Sequence, residues 1–154
     1  MKCDEFYIRE AIKEAQKAVC KGEVPVGCVI VIDDCIVARA HNLCETNNSN
    51  IEHAEILAIK KACRKLNTSI LDEATIYITL EPCLMCAGAI YLSRIKKVVF
   101  GAYEPKFGVL GSIIDISEVK DFNHNVEVKS GVLSDEIAAM MKTFFRKIRD
   151  CSKS

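Results

Sequence analysis

Apolar positions recur at helical spacing near the start of the chain, where Ile8, Ala11, Ile12, Ala15, Ala18 and Val19 form one stripe. The spacing predicts a first helix that Asp4 caps and Gly22 ends. The period then shortens. Residues 26–32 and 35–40 are largely apolar runs separated by Asp33-Asp34, which predicts a hairpin. Residues 43–50, rich in Asn with a Ser and a Thr, read as a polar loop. A second helix is expected from near His53, with Ile56, Ile59, Cys63 and Leu66 inward and Lys60, Lys61, Arg64 and Lys65 on a solvated face. Residues 75–80 predict a strand, and Pro82 sits where the first turn of a following helix accepts proline. Further strands are expected at 97–101 and, more weakly, at 126–129. A last helix runs from 134 to about 149, with Ile137, Met140, Met141, Phe144 and Ile148 inward. Helical patterns interleaved with strands imply an α/β domain whose sheet is covered by helices on both faces.

Length and composition narrow this picture. At 154 residues and 50% hydrophobic, the chain is expected to form one domain over 1–154 that buries about two thirds of its unfolded surface. No apolar run reaches the 18 residues of a membrane span, and the first residues lead into an amphipathic segment without an apolar signal core, so a cytoplasmic protein is expected. Nine irregularly spaced cysteines suit reduced thiols better than a disulfide framework, and Cys28 and Cys63 read as small core residues. The formal net charge of zero gives no global hint of a nucleic-acid partner, but its distribution is uneven and leaves polyanion binding through local patches open. Beyond residue 141, Lys142, Arg146, Lys147, Arg149 and Lys153 face one acidic residue, Asp150. Arg94, Lys96, Lys97 and Lys106 form a second basic group against Glu104.

The chemistry-bearing residues fall in two short groups. His53-Ala54-Glu55 is followed, after 26 residues, by Pro82-Cys83-Leu84-Met85-Cys86. A catalytic zinc site uses three protein ligands and leaves a fourth position for water. His53, Cys83 and Cys86 supply three, and Glu55 supplies a carboxylate that can move the water's proton without being a ligand. This is the general signature of zinc-dependent base deaminases. A structural zinc site would need a fourth Cys or His, yet the other seven cysteines are scattered singly; a redox dithiol would leave His53 and Glu55 without a role. Cys83 and Cys86 are expected in a helix's first turn, facing the same way, where the helix dipole favours thiolates.

From about Glu23 to Arg149 the chain resembles the TadA-type tRNA adenosine deaminases of the cytidine deaminase superfamily. The resemblance lies in residues 23–28, His53-Ala54-Glu55-Ile56, residues 79–90, Ser93-Arg94-Ile95, residues 98–102, Gly111-Ser112, Asn123-His124 and Phe144-Phe145-Arg146. It implies a cytidine deaminase-like three-layer α/β/α fold, with a central mixed sheet of about five strands. It also implies one zinc ion per chain on His53, Cys83 and Cys86, and hydrolysis of a wobble adenosine to inosine in a tRNA anticodon stem-loop, in a homodimer. Glu55 would be the proton shuttle and Asn42 the residue bonded to the flipped base. The N–H groups of Ala54 and Cys83 would lie near the reacting centre, and Asn123, Phe145 and Arg149 would hold neighbouring nucleotides.

The chemistry agrees with such a substrate, because an anticodon loop presents unstacked bases. Phe144 and Phe145 cannot both face the core of one helix, which leaves Phe145 for stacking or for partial burial. Lys142, Arg146, Arg149 and Lys153 form one stripe, either a phosphate contact or a solvated face. The chain departs from the family at Ile51-Glu52, where Thr-Ala is usual, at residues 103–107, and at Ile137, where Cys is common. Two rival readings remain: a deaminase of free guanine, cytosine or cytidine on the same zinc core, and a non-catalytic zinc-stabilised RNA-binding subunit.

Overall fold

The computed structural model describes residues 1–153. Its elements in chain order are α1 (Asp4–Cys20), β1 (Gly27–Ile32), β2 (Cys35–His41), α2 (Ala54–Leu66), β3 (Thr75–Leu80), α3 (Leu84–Leu92), β4 (Lys97–Ala102), a short 3-10 turn (Ile116–Glu118), β5 (Glu127–Lys129) and α4 (Ser134–Ser152). The five strands form one mixed sheet in the order β2-β1-β3-β4-β5. β1 pairs antiparallel with β2 and β3, whereas β4 pairs parallel with β3 and β5. The hairpin turn lies at Asp33-Asp34, both at positive φ (50° and 60°), as the turn with the twist of the flanking strands requires.

Alternation along the strands divides the core between the two faces. Cys28, Ile30, Ile76, Ile78, Val98 and Phe100 pack under α2 and α3, against Ala54, Ala58, Ala62 and Ile90. Val29, Val31, Tyr77 and Val99 pack on the opposite face under α1 and α4, against Tyr7, Ile8, Ile12 and Ile137. This is the three-layer α/β/α arrangement expected. Among the described residues no helix is long and apolar enough to cross a membrane.

The structure corrects several local expectations. Cys3, not Asp4, is the N-cap of α1; the Asp4 carboxylate instead accepts from the Tyr77 hydroxyl (2.9 Å) and pairs with Lys129 (2.7 Å), tying α1 to the sheet. In α2 the buried face is Ala54, Glu55, Ala58, Ile59 and Ala62, while Leu66 is exposed. Small alanines let this helix lie close to β1 and β2, which rotates the larger residues toward its edges. Pro82 precedes α3, and Cys83 is its N-cap. In α4 only Ile137 and Phe144 are buried; the helix outruns the sheet, so Ile148 is exposed.

Candidate active site

β3 ends at Leu80, and the chain turns through Glu81 and Pro82 into α3 beyond the carboxyl edge of the parallel strands, where open α/β sheets build their sites. α2 starts at the same edge. Its N-cap is His53 and the N-cap of α3 is Cys83, both in extended backbone, so two helix N-termini converge there. Their dipoles make the site electropositive.

The His53 Nδ1 atom lies 3.6 Å from Cys83 Sγ and 3.4 Å from Cys86 Sγ, and the three donor atoms are all within 4.8 Å of one another. Zinc bonds of about 2.3 Å to sulfur and 2.0–2.1 Å to nitrogen, set tetrahedrally, put sulfur and nitrogen about 3.6 Å apart. The donor set and its spacing therefore fit a zinc ion. Among the protein groups alone, a hydrogen bond from Cys86 and a second interaction with His53 hold the Cys83 thiol at about 4, despite partial burial. The same pairing, together with burial, pushes Cys86 well up. Cys83 and Cys86 would hold a metal ion as thiolates, and its charge would favour that state at both sulfurs.

Glu55, in the first turn of α2, is buried, and its Oε1 atom has no hydrogen-bond partner. Burial raises its pKa above the ordinary carboxylate value. A carboxylate in this state suits proton transfer, since it is desolvated and has an uncommitted oxygen beside the donor cluster. Asn42 follows directly after β2 and is buried; its Oδ1 accepts from the Ala54 N–H at 2.8 Å. That bond fixes the carboxamide and leaves Nδ2 as its donor. It also commits the Ala54 N–H, expected near the reacting centre, to Asn42.

A cleft of about 610 Å³ opens above these groups, lined among others by Asn42, His53, Glu55, Cys83, Phe107 and Phe145. Met141 and Phe145 also line a groove bordered by Lys142, Arg146 and Arg149, so the basic stripe of α4 is continuous with the cleft. Phe144 points inward and Phe145 stays 44% exposed, as two successive helix positions require. Asn123 lies elsewhere. It borders a groove with Leu84, Tyr91, Leu92 and Phe122 on the outer side of α3.

Two loops wall the cleft, each anchored by a carboxylate whose role the sequence did not reveal. Glu23 accepts from the N–H groups of Glu45 (2.9 Å) and Thr46 (2.6 Å) and from the Thr46 hydroxyl (2.6 Å). Burial pushes its pKa up, but these hydrogen bonds outweigh it and hold the carboxyl below its ordinary value. Glu81 accepts from the N–H groups of Glu104 (2.9 Å), Leu110 (2.9 Å) and Ser112 (3.1 Å) and from the Ser112 hydroxyl. The available signal is an acidic residue one or two positions before a proline, in Glu23-Val24-Pro25 and Glu81-Pro82, at the border of an apolar run.

Comparison with known proteins agrees with this geometry. The model of the MafB19-like deaminases matches residues 3–149. A tRNA-specific adenosine deaminase of Bacillus subtilis (strain 168) is 54% identical over 151 residues, 98% of this chain and 94% of that protein. One from Aquifex aeolicus (strain VF5) is 43% identical over 146 residues, covering 95% of this chain and 96% of its own. A solved structure from work on A-to-I editing by tRNA A34 deaminases at the wobble position superposes with a TM-score of 0.84 at 37% identity, over 88% of this chain and 98% of that one. The guanine deaminase of Bacillus subtilis superposes with a TM-score of 0.65 at 30% identity, over 97% and 95%.

Proposed function

The chain belongs to the MafB19-like deaminases and stands among the tRNA-specific adenosine deaminases; from that premise we propose that it hydrolyses the wobble adenosine of a tRNA anticodon to inosine, with zinc held by His53, Cys83 and Cys86. One observation carries the choice of an RNA substrate: the cleft over Glu55 runs on, through Met141 and Phe145, into the groove of Lys142, Arg146 and Arg149. An enzyme of a free base has no use for that extension, whereas an anticodon loop brings phosphates and unstacked bases along with its adenosine.

Zinc supplies Lewis-acid activation of water near neutral pH. The protein does the rest. Glu55 takes the proton of the attacking water, passes it to N1 of adenine as C6 is attacked, and then delivers a proton to the departing amino group. Adenosine and water thereby become inosine and ammonia. Asn42, fixed through its Oδ1, offers Nδ2 to an acceptor on the extruded base. Phe145 stacks on a neighbouring base and Arg149 binds a phosphate. The buried position of Glu55 beside the donor cluster also weighs against a non-catalytic RNA-binding subunit, which needs no proton shuttle.

The active species is a homodimer formed through the outer side of α3, where Leu84 and Leu92 of this apolar helix and the neighbouring Phe122 are exposed. Asn123 borders that face, so its part in holding nucleotides depends on the dimer. Leu92→Glu is expected to give a monomer by light scattering. A tRNA substrate and exposed, unbridged thiols at Cys3, Cys20 and Cys35 suit the reducing cytoplasm.

The likeness to guanine deaminase favours a second reading, action on a free base, and one experiment separates the two. Purified protein is assayed on an adenosine-containing anticodon stem-loop beside free adenosine, cytidine and guanine. Inosine formed in the stem-loop alone supports the proposal; comparable turnover of any free base or nucleoside overturns it.

A further inference from the structure

The cleft presents two exposed aromatic rings, and the reading above uses only one. Phe107 is 67% exposed, lines the cleft with Phe145, and has no ring partner among the described residues. A large apolar side chain in this position is ordinarily a liability of a loose surface loop, but this loop is not loose. Glu104, three residues before it, donates its N–H to Glu81, and Gly108, directly after it, donates back to the Glu104 carbonyl at 2.8 Å. Gly108 also forms a β-bridge with Cys83, and the Val109 N–H reaches the Pro82 carbonyl at 3.2 Å. Gly108 packs so closely on the Glu81 carboxyl that a Cβ there would lie 2.2 Å from its carbon. The residue carrying the ring is thus held one position from the backbone that pairs with a donor of the proposed zinc site.

An adenosine extruded into the cleft leaves its neighbouring bases without a stacking partner, and a preorganised aromatic face beside the site restores one at little entropic cost. We propose that Phe107 is a stacking platform for a nucleobase flanking the target adenosine, a second ring in addition to Phe145; this inference rests on the RNA substrate proposed above.

Binding of an anticodon stem-loop tests it. Stacking losses of this kind correspond to roughly a tenfold rise in Kd. Phe107→Ala is expected to show that rise with an unchanged salt dependence, because stacking releases few counterions. Phe107→Leu keeps the apolar bulk but not the π face and is expected to lose as much; Phe107→Tyr is expected to bind like the parent. The chain contains no tryptophan, so Phe107→Trp carries the sole indole, and its fluorescence is expected to be quenched when stem-loop binds. Parent-like affinity in Phe107→Ala, a Leu variant that binds as well as the parent, or an unquenched indole would each overturn the platform. If the parent protein fails to deaminate the stem-loop at all, the substrate reading has failed; if it deaminates the stem-loop while Phe107→Ala binds normally, only this inference has.

Discussion

At the floor of the cleft, His53, Glu55, Cys83 and Cys86 come from two short motifs, each at the start of a helix. At its rim, Thr46, Glu104 and Phe107 lie on two loops, each tied down by one buried carboxylate, Glu23 or Glu81. The floor accepts an electrostatic penalty, because Glu55 is buried with an oxygen left unbonded. The rim does the opposite: its carboxylates accept three or four hydrogen bonds each and stabilise the fold. In the proposed reading the reacting groups are held available, and the groups that shape the entrance are held satisfied.

The sharpest break in this comparison comes from the floor. The double variant Cys83→Ala, Cys86→Ala is expected to lose bound zinc, from about one ion per chain to none, and all turnover. Elemental analysis showing full occupancy would refute the assignment. Glu55→Ala is expected to keep its metal and its stem-loop affinity but lose roughly 10²- to 10⁴-fold in turnover. Its melting temperature should not fall, since the substitution removes a buried, incompletely bonded carboxylate. A metal-loaded variant with parent-like inosine formation would end the shuttle role.

At the rim the expected loss is structural. Gly108→Ala pushes a methyl group into the Glu81 carboxyl and is expected to destabilise the fold by about 1–3 kcal/mol. Stem-loop binding should weaken with it, because the loop carrying Glu104 and Phe107 must shift. Calorimetry and a binding titration on one sample check both, and an unchanged melting temperature would show that the Glu81 anchor can yield.

The same division explains what the sequence revealed. Both floor motifs are local, and the chemistry of a metal donor set is legible in His-x-Glu and Cys-x-x-Cys wherever the chain folds them. The strands were legible too, because their apolar runs are bounded by turns such as Asp33-Asp34. Rim contacts span 22 to 31 residues along the chain, so nothing at Glu23 or Glu81 announces its partners. The resemblance marks Asn42 and Ala54 separately, but their mutual hydrogen bond, which redirects both, exists only once β2 and α2 are packed. Leu66 and Ile148 misled because periodicity marks the apolar face of a helix without showing where the neighbouring element ends.

The basic stripe sharpens the comparison from outside the cleft. Lys142, Arg146 and Arg149 are exposed, so replacing all three by Ala should leave the melting temperature nearly unchanged. Stem-loop affinity is expected to fall and its salt dependence to flatten by about one counterion per lost phosphate contact. Unchanged affinity and slope would return the stripe to a solvated helix face.

The smallest effect expected is on pH dependence, and it isolates one rim anchor. Glu23 titrates below its ordinary value of 4.5 in the folded protein, because the hydrogen bonds from Thr46 and the Glu45 N–H favour the charged form more than burial disfavours it. Between the folded and unfolded values the unfolded chain binds more protons, so stability rises with pH across that window. The contribution of Glu23 is therefore fully present above its unfolded value and is lost as pH falls through the lower folded value. Glu23→Gln removes that contribution. It keeps a carbonyl to accept from one N–H but brings an amide NH₂ against the other donors, an exchange of about 1 kcal/mol, or roughly 2–4 °C in a domain of this size. The variant is expected to melt below the parent at pH 7. The gap should close on acidification below pH 4.5 as Glu23 itself protonates; Asp4, Glu10 and Glu14, whose carboxyls are also held low by hydrogen-bond partners against the cost of burial, titrate alike in both proteins and leave the gap untouched. Thermal melts at several pH values measure the gap. A gap that stays constant down to the acid limit would mean that Glu23 anchors its loop by shape and not by charge.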